Sequence, residues 1–107
     1  VKRGDVIIAA PPSPFNKPRP ALVIQSLFSD HDETVVVALI TSDLSRYGAV
    51  RIPVQPSELN GLRKPSEIMV DNLQSVALDR IGGLVGEVDV ITMRRVDLAL
   101  RMFLGLP

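Results

Sequence analysis

The run Thr34–Ser42, TVVVALITS, decides the fold. Three successive valines followed by Ile40 and Thr41 favour extended backbone, because branching at Cβ stiffens the side chain and suits a pleated surface. The run is apolar without alternation, so both of its faces are expected to be buried, as in a central strand. It ends on two hydroxyls, Thr41 and Ser42, where apolar sequence gives way to the polar loop DLSRYGA at Asp43–Ala49.

Further strands are read on either side. DVIIAA (Asp5–Ala10) and ALVIQS (Ala21–Ser26) precede it, joined by PPSPFNKPRP (Pro11–Pro20), which holds five of the nine prolines. So many fixed φ angles make that segment a stiff loop. After the central strand, VRIPV (Val50–Val54) alternates and carries Pro53, which suits an edge strand. QPSELNGLRKPS (Gln55–Ser66) is predicted to form a one-turn helix that stops on Gly61. EIMVDNLQSVAL (Glu67–Leu78) reads as extended and bent near Asn72, and GGLVGEV (Gly82–Val88) as one more short strand. Asp89 resembles an N-cap. Beyond it, Met93, Val96, Leu100 and Phe103 recur at helical spacing, with Ala99 and Leu104 beside them, and Arg94, Arg95, Asp97 and Arg101 turn to water. Five or six short strands and one closing helix make a mainly β fold, a small partly open β-barrel with a C-terminal α-helix.

Residues 1–107 are read as a single domain, with 46% apolar residues for one core and only three phenylalanines and one tyrosine. There is no cysteine, so disulfides and thiolate chemistry are out, and a cytoplasmic setting is expected. No signal-peptide pattern heads the chain, and no apolar run approaches the roughly 18 residues of a spanning helix, so no membrane is expected. Net charge is zero, which gives no overall attraction to nucleic acid. Locally the balance differs. Lys2, Arg3, Lys17 and Arg19 against Asp5 give +3, and Arg46, Arg51, Arg63 and Lys64 against Glu58 give +3. These two basic segments would make one cationic face if the fold brought them together.

Common catalytic motifs are missing. There is no phosphate-binding glycine loop, no H-E-x-x-H and no G-x-S-x-G, and His31 is the single histidine. Neither a cofactor nor a metal is expected. Acid–base work must fall to carboxylates, hydroxyls or arginine. Arg19 stands out because Pro18 and Pro20 flank it. Both prolines fix their own φ, and Pro20 pushes Arg19 towards extended backbone. A cation held still before a ligand arrives binds at lower ordering cost, and guanidinium matches oxyanions in a forked geometry. A plain surface arginine at a strand end is the alternative.

The segments RGDVIIA (Arg3–Ala9), KPRPALVIQS (Lys17–Ser26), LITSDL (Leu39–Leu44), RIPVQPSELNGLRKPSEIMVDNLQSV (Arg51–Val76) and RIGGLVGEVD (Arg80–Asp89) together resemble the PemK/MazF family of toxins. That resemblance implies an SH3-like barrel, usually a homodimer. It implies metal-independent endoribonuclease cleavage of single-stranded RNA, and neutralisation by a cognate antitoxin of a type II toxin–antitoxin system. Carried over position by position, it makes Arg19, Thr41 and Asp71 the catalytic candidates. Ser42, Lys17, Phe15, Asn16, Arg46 and Tyr47 become substrate-binding candidates. Asp71 would take a proton or hold Arg19. Phe15 and Tyr47 would stack on bases or pack on the barrel. Where some members carry an arginine two places before the acid, this chain has Met69, and its first loop has no histidine.

Two other classes compete. A toxin of the same fold that poisons DNA gyrase by binding uses a tryptophan near its C-terminus, and this chain has none. A proline-recognition module needs an aromatic groove, for which four scattered aromatic residues are a poor supply.

Overall fold

The computed structural model describes residues 1–10, 17–26, 32–45 and 50–107. The opening stretch forms strand β3, Thr34–Thr41. Before it come β1 (Asp5–Ala9) and β2 (Arg19–Val23). After it come β4 (Arg51–Val54), β5 (Ser66–Ala77), a short 3₁₀ turn at Leu78–Arg80, β6 (Ile81–Glu87) and helix α1 (Val90–Leu104). The strands make one antiparallel sheet in the order β4-β5-β3-β2-β1-β6. β3 therefore lies inside the sheet and β4 on an edge, as the apolar run and Pro53 require.

Alternation along β3 feeds two apolar clusters. Ala38 and Ile40 join Val6, Leu22, Ile68 and Val70, and α1 covers this cluster with Val96 and Ala99. Val37 and Leu39 join Ile7, Ala21, Val23 and Val76 in the other. Each such fully buried aliphatic side chain contributes about 1.5–3 kcal/mol relative to exposure. β5 bends where expected: Ala38 pairs with Leu73 but Ile40 with Ile68, so two steps on β3 span five on β5.

The sheet does not close through strand pairing. Its two edges meet instead through the turn after β4. The Glu87 N–H donates to the Leu59 carbonyl at 2.9 Å. Gly86 is needed there, because a Cβ would lie 2.3 Å from the Leu59 carbonyl oxygen and 2.6 Å from the Asn60 carbonyl carbon.

Four expectations change. Arg19 is the first residue of β2, opposite Ala9, rather than the last of the loop. Gln55–Ser66 holds a single hydrogen-bonded turn, Gly61 N–H to the Ser57 carbonyl at 3.0 Å, and no helix; Gly61 does take the left-handed conformation, with φ +69°. Local side-chain bonds from Ser57 and Asn60 compete with helical bonding there. In α1, Asp89 caps the Thr92 N–H at 2.8 Å, as read, and the left-handed Gly105 closes the other end. The bond from Thr92 lowers the Asp89 pKa. However, Phe103 and Leu104, in the last turn of the helix, are exposed. Asp97 pairs with Arg3, whose Nε also donates to the Ile24 carbonyl at 2.7 Å, so this acid ties the helix to the sheet rather than facing open water.

Gly86→Ala is expected to destabilise the protein by about 1–3 kcal/mol through overpacking. Gly83→Ala, where an added Cβ meets nothing within 4 Å, is the control and should be near neutral. Paired thermal melts check this, and equal melting points would remove the edge-to-edge contact from the stability of the fold.

Candidate active site at the strand ends

β2 and β3 pair through Ala21↔Leu39, Leu22↔Ala38 and Val23↔Val37. Carried two residues further, this register sets Arg19 level with Thr41. Pro20 has no N–H to give to the ladder, and pairing to β3 starts one residue later, at Ala21. The strands part there, and a cavity of about 750 Å³ opens, lined in part by Arg19, Thr41, Ser42 and Lys17. Arg19 and Lys17 are exposed, and Thr41 is half-buried.

The loop after β3 fixes the Thr41 hydroxyl. Its Oγ1 accepts the Asp43 N–H at 3.0 Å. The hydroxyl proton is then left to donate outward. The Asp43 carboxylate in turn accepts the Ser45 N–H at 3.0 Å and the Ser45 hydroxyl. On the other side of Thr41, its partner across the ladder is Glu67. Glu67 Oε1 lies 3.6 Å from a terminal nitrogen of Arg51.

The opposite wall was not among the candidate residues. It comes from the turn between β4 and β5, which brings Arg63 and Lys64 to the same cavity. The described lining therefore holds four cations, Lys17, Arg19, Arg63 and Lys64, against one acid, Asp43. Its sequence signal was the second basic segment: Arg63 and Lys64 of that segment line the same cavity as Lys17 and Arg19 of the first, whereas Arg3 pairs with Asp97, Arg51 lies by Glu67, and Arg46 is outside the described residues. Asp71 is placed differently. It is half-buried on β5, its Oδ1 buried without a hydrogen-bond partner, and it is not part of the cavity wall. Phe15, Asn16, Arg46 and Tyr47, like His31, lie outside the described residues. Among the described residues, no group of three or more His, Cys, Asp or Glu side chains is arranged to hold a metal.

Comparison with known proteins agrees with this architecture. The model of the PemK-like, MazF-like toxins of type II toxin–antitoxin systems matches residues 2–104. The chain belongs to that family. Over 107 residues this MazF-like toxin is 33% identical to the probable endoribonuclease MazF of Mycolicibacterium smegmatis, covering 99% of this chain and 98% of the relative. Among solved structures, it resembles an endoribonuclease from a mycobacterial species in complex with its cognate antitoxin. The TM-score is 0.82 at 26% identity, covering 100% of this chain and 97% of the other. It also resembles the Mycobacterium tuberculosis toxin MazF-mt6, with a TM-score of 0.76 at 27% identity, covering 96% and 98% of the two chains.

The cationic side chains and their mounts should separate in stability. Arg19→Ala removes an exposed group and is expected to change stability by no more than about 0.5 kcal/mol. Asn60, 5% exposed, accepts the Ser57 and Leu62 N–H groups. Asn60→Ala leaves both part-buried donors without their acceptor and is expected to cost about 1 kcal/mol or more. Urea titrations of the two variants measure the difference, and an unaffected Asn60→Ala would show that the turn is held by other interactions.

Proposed function

We propose that this toxin is a metal-independent endoribonuclease that cleaves single-stranded RNA through attack of a ribose 2′-hydroxyl on the adjacent phosphodiester. The supporting observation is the shared cavity of Arg19 and Thr41. The relatives whose names specify chemistry are endoribonucleases, and the gyrase alternative is not favoured.

RNA carries its own nucleophile, so the protein must take a proton, steady the charge that grows on the phosphoryl oxygens, and return a proton to the leaving oxygen. Arg19 is assigned the growing charge, held in place by its prolines. The Thr41 O–H is assigned as a second donor to a phosphoryl oxygen, with Ser42 beside it. A donor fixed in advance at developing charge is worth about 10²–10³ in kcat. Guanidinium, with a pKa above about 12, is a poor base. Proton removal is therefore assigned to a carboxylate. Asp43 lines the cavity and Asp71 does not, so Asp71 is given an indirect role, acting on the charge of the site from within β5. Lys17 is assigned to the RNA backbone, and Phe15, Asn16, Arg46 and Tyr47 to the loops beside the cavity.

The toxin is further proposed to act in the cytoplasm as a homodimer, and to be silenced by an antitoxin segment laid over the cavity. Support for self-association comes from α1. Ile91, Leu98 and Met102 form a second apolar stripe on the side of the helix away from the sheet, 63%, 59% and 78% exposed. Leu98→Glu is expected to shift the protein from dimer to monomer in light scattering behind a sizing column; a monomeric wild type would exclude the dimer.

The cleavage assay is run in EDTA on single-stranded RNA. Wild type should give defined fragments and Arg19→Ala about 100-fold less product per unit time or lower still. A strand with one 2′-deoxyribose at the scissile position should survive. Cutting of that strand, or wild-type rates from Arg19→Ala, would refute the mechanism. Asp43→Asn should cost about 10²-fold or more in kcat/KM, in the range of a lost general base, and Asp71→Asn less than about tenfold. The reverse order would return the base to Asp71.

A further inference from the structure

The wall opposite Arg19 is built with as much care as the Pro18-Arg19-Pro20 mount, although none of the assigned chemistry uses it. Arg63 and Lys64 are exposed at the cavity, and among the described residues neither enters an ion pair or side-chain hydrogen bond. The short turn that carries them is locked at both ends. On the near side, buried Asn60 makes four bonds. Its Oδ1 accepts from the Ser57 N–H at 3.0 Å and the Leu62 N–H at 2.9 Å; its Nδ2 donates to the Gln55 carbonyl at 2.8 Å; its own N–H donates to Ser57 Oγ at 3.1 Å. Gly61 then packs so closely on β6 that a Cβ would sit 2.3 Å from the Val85 carbonyl oxygen. On the far side, Pro65 confines Lys64 to extended backbone, and the Ser66 hydroxyl donates to the Lys64 carbonyl at 2.8 Å.

Two unpaired cations on a rigid turn repel each other and are exposed to water. The chemistry that suits them is an anion, and the cavity already offers Arg19 for one. Lys17 and Arg19 rise from the start of β2, and Arg63 and Lys64 from the turn before β5, on two sides of a space of about 750 Å³. That volume exceeds a single phosphate, so a ligand that meets both walls must carry negative charge at more than one point along its length. A single nucleic-acid strand does so at every phosphodiester.

We propose that Arg63 and Lys64 form a second phosphate site, which grips a phosphodiester neighbouring the scissile one and so holds the strand across the cavity. The proposal rests on the RNA-cleavage reading above and deepens it. The two cations bind and align; the reacting phosphate stays with Arg19 and Thr41. Pre-set donors lose little freedom on binding, so the site should act mainly on affinity.

The test uses the double variant Arg63→Ala/Lys64→Ala and a fluorescent single-stranded RNA made uncleavable by 2′-O-methyl groups. Binding is followed by anisotropy over a range of salt. The double variant is expected to bind about tenfold more weakly at low salt or worse. Its plot of log affinity against log salt should be shallower by roughly 0.7 for each phosphate that the variant no longer neutralises. In the cleavage assay, KM should rise while kcat stays within about threefold. Arg94→Ala/Arg101→Ala, which removes the same charge from the exposed face of α1, should leave both the slope and KM unchanged. Wild-type slope and affinity in the Arg63→Ala/Lys64→Ala protein would overturn the second site while leaving the RNA-cleavage reading intact. An equal effect from the helix pair would also overturn it, by reducing the result to overall charge. A wild type that neither binds nor cuts RNA would remove both.

Discussion

The site depends on the register between β2 and β3. Ala21 faces Leu39, and that pairing sets the first residue of β2 level with the last of β3. A slip of one residue would turn Arg19 to the other face of the sheet and carry Ala21 and Val23 out of their apolar cluster. Packing therefore enforces the register that the chemistry needs. Valine and leucine on one face hold the ladder, and the loss of an N–H at Pro20 ends it where a cavity is required. The cation and the hydroxyl then come to one place from residues far apart in the chain, without a loop having to close.

A common design runs through the cavity walls. Arg19 is gripped by two prolines. Arg63 and Lys64 stand on a turn tied by Asn60 and Ser66. The Thr41 hydroxyl is pointed by the Asp43 N–H. In each case the ordering cost of a polar group is met during folding rather than on binding. The turn that carries the second wall also spans the gap between β4 and β6, with Leu59 accepting from Glu87. One element thus serves both the closure of the sheet and the charge of the cavity, so the fold and the site cannot be altered independently there.

Much of this was legible from local chemistry. The unbroken run at Thr34–Thr41 was readable as a buried strand, Pro53 as an edge marker, and Asp89 as the cap that opens a helix. The flanking prolines singled out Arg19, which does line the cavity, while its assigned chemistry came only with the family resemblance. Three features were not legible, and each is a matter of tertiary placement. Phe103 and Leu104, in the last turn of α1, stay exposed, and periodicity does not report whether each turn of a helix has a surface below it. Arg63 and Lys64 counted in the second basic segment, but their place at the cavity follows only from the packing of their turn against β6. Asp71 matched a family position by sequence, yet it is not among the residues that line the cavity, and which side chains of β5 reach the cavity is set by packing rather than by sequence pattern.

Whether Arg19 and Thr41 act as one unit can be measured by a double-mutant cycle on kcat/KM for RNA cleavage, using Arg19→Ala, Thr41→Val and the two combined. Residues that stabilise the same transition state are strongly non-additive. The double variant should cleave about as slowly as Arg19→Ala alone. If the two losses instead multiply, the residues work independently, and the facing positions set by the β2–β3 register do not form a single site.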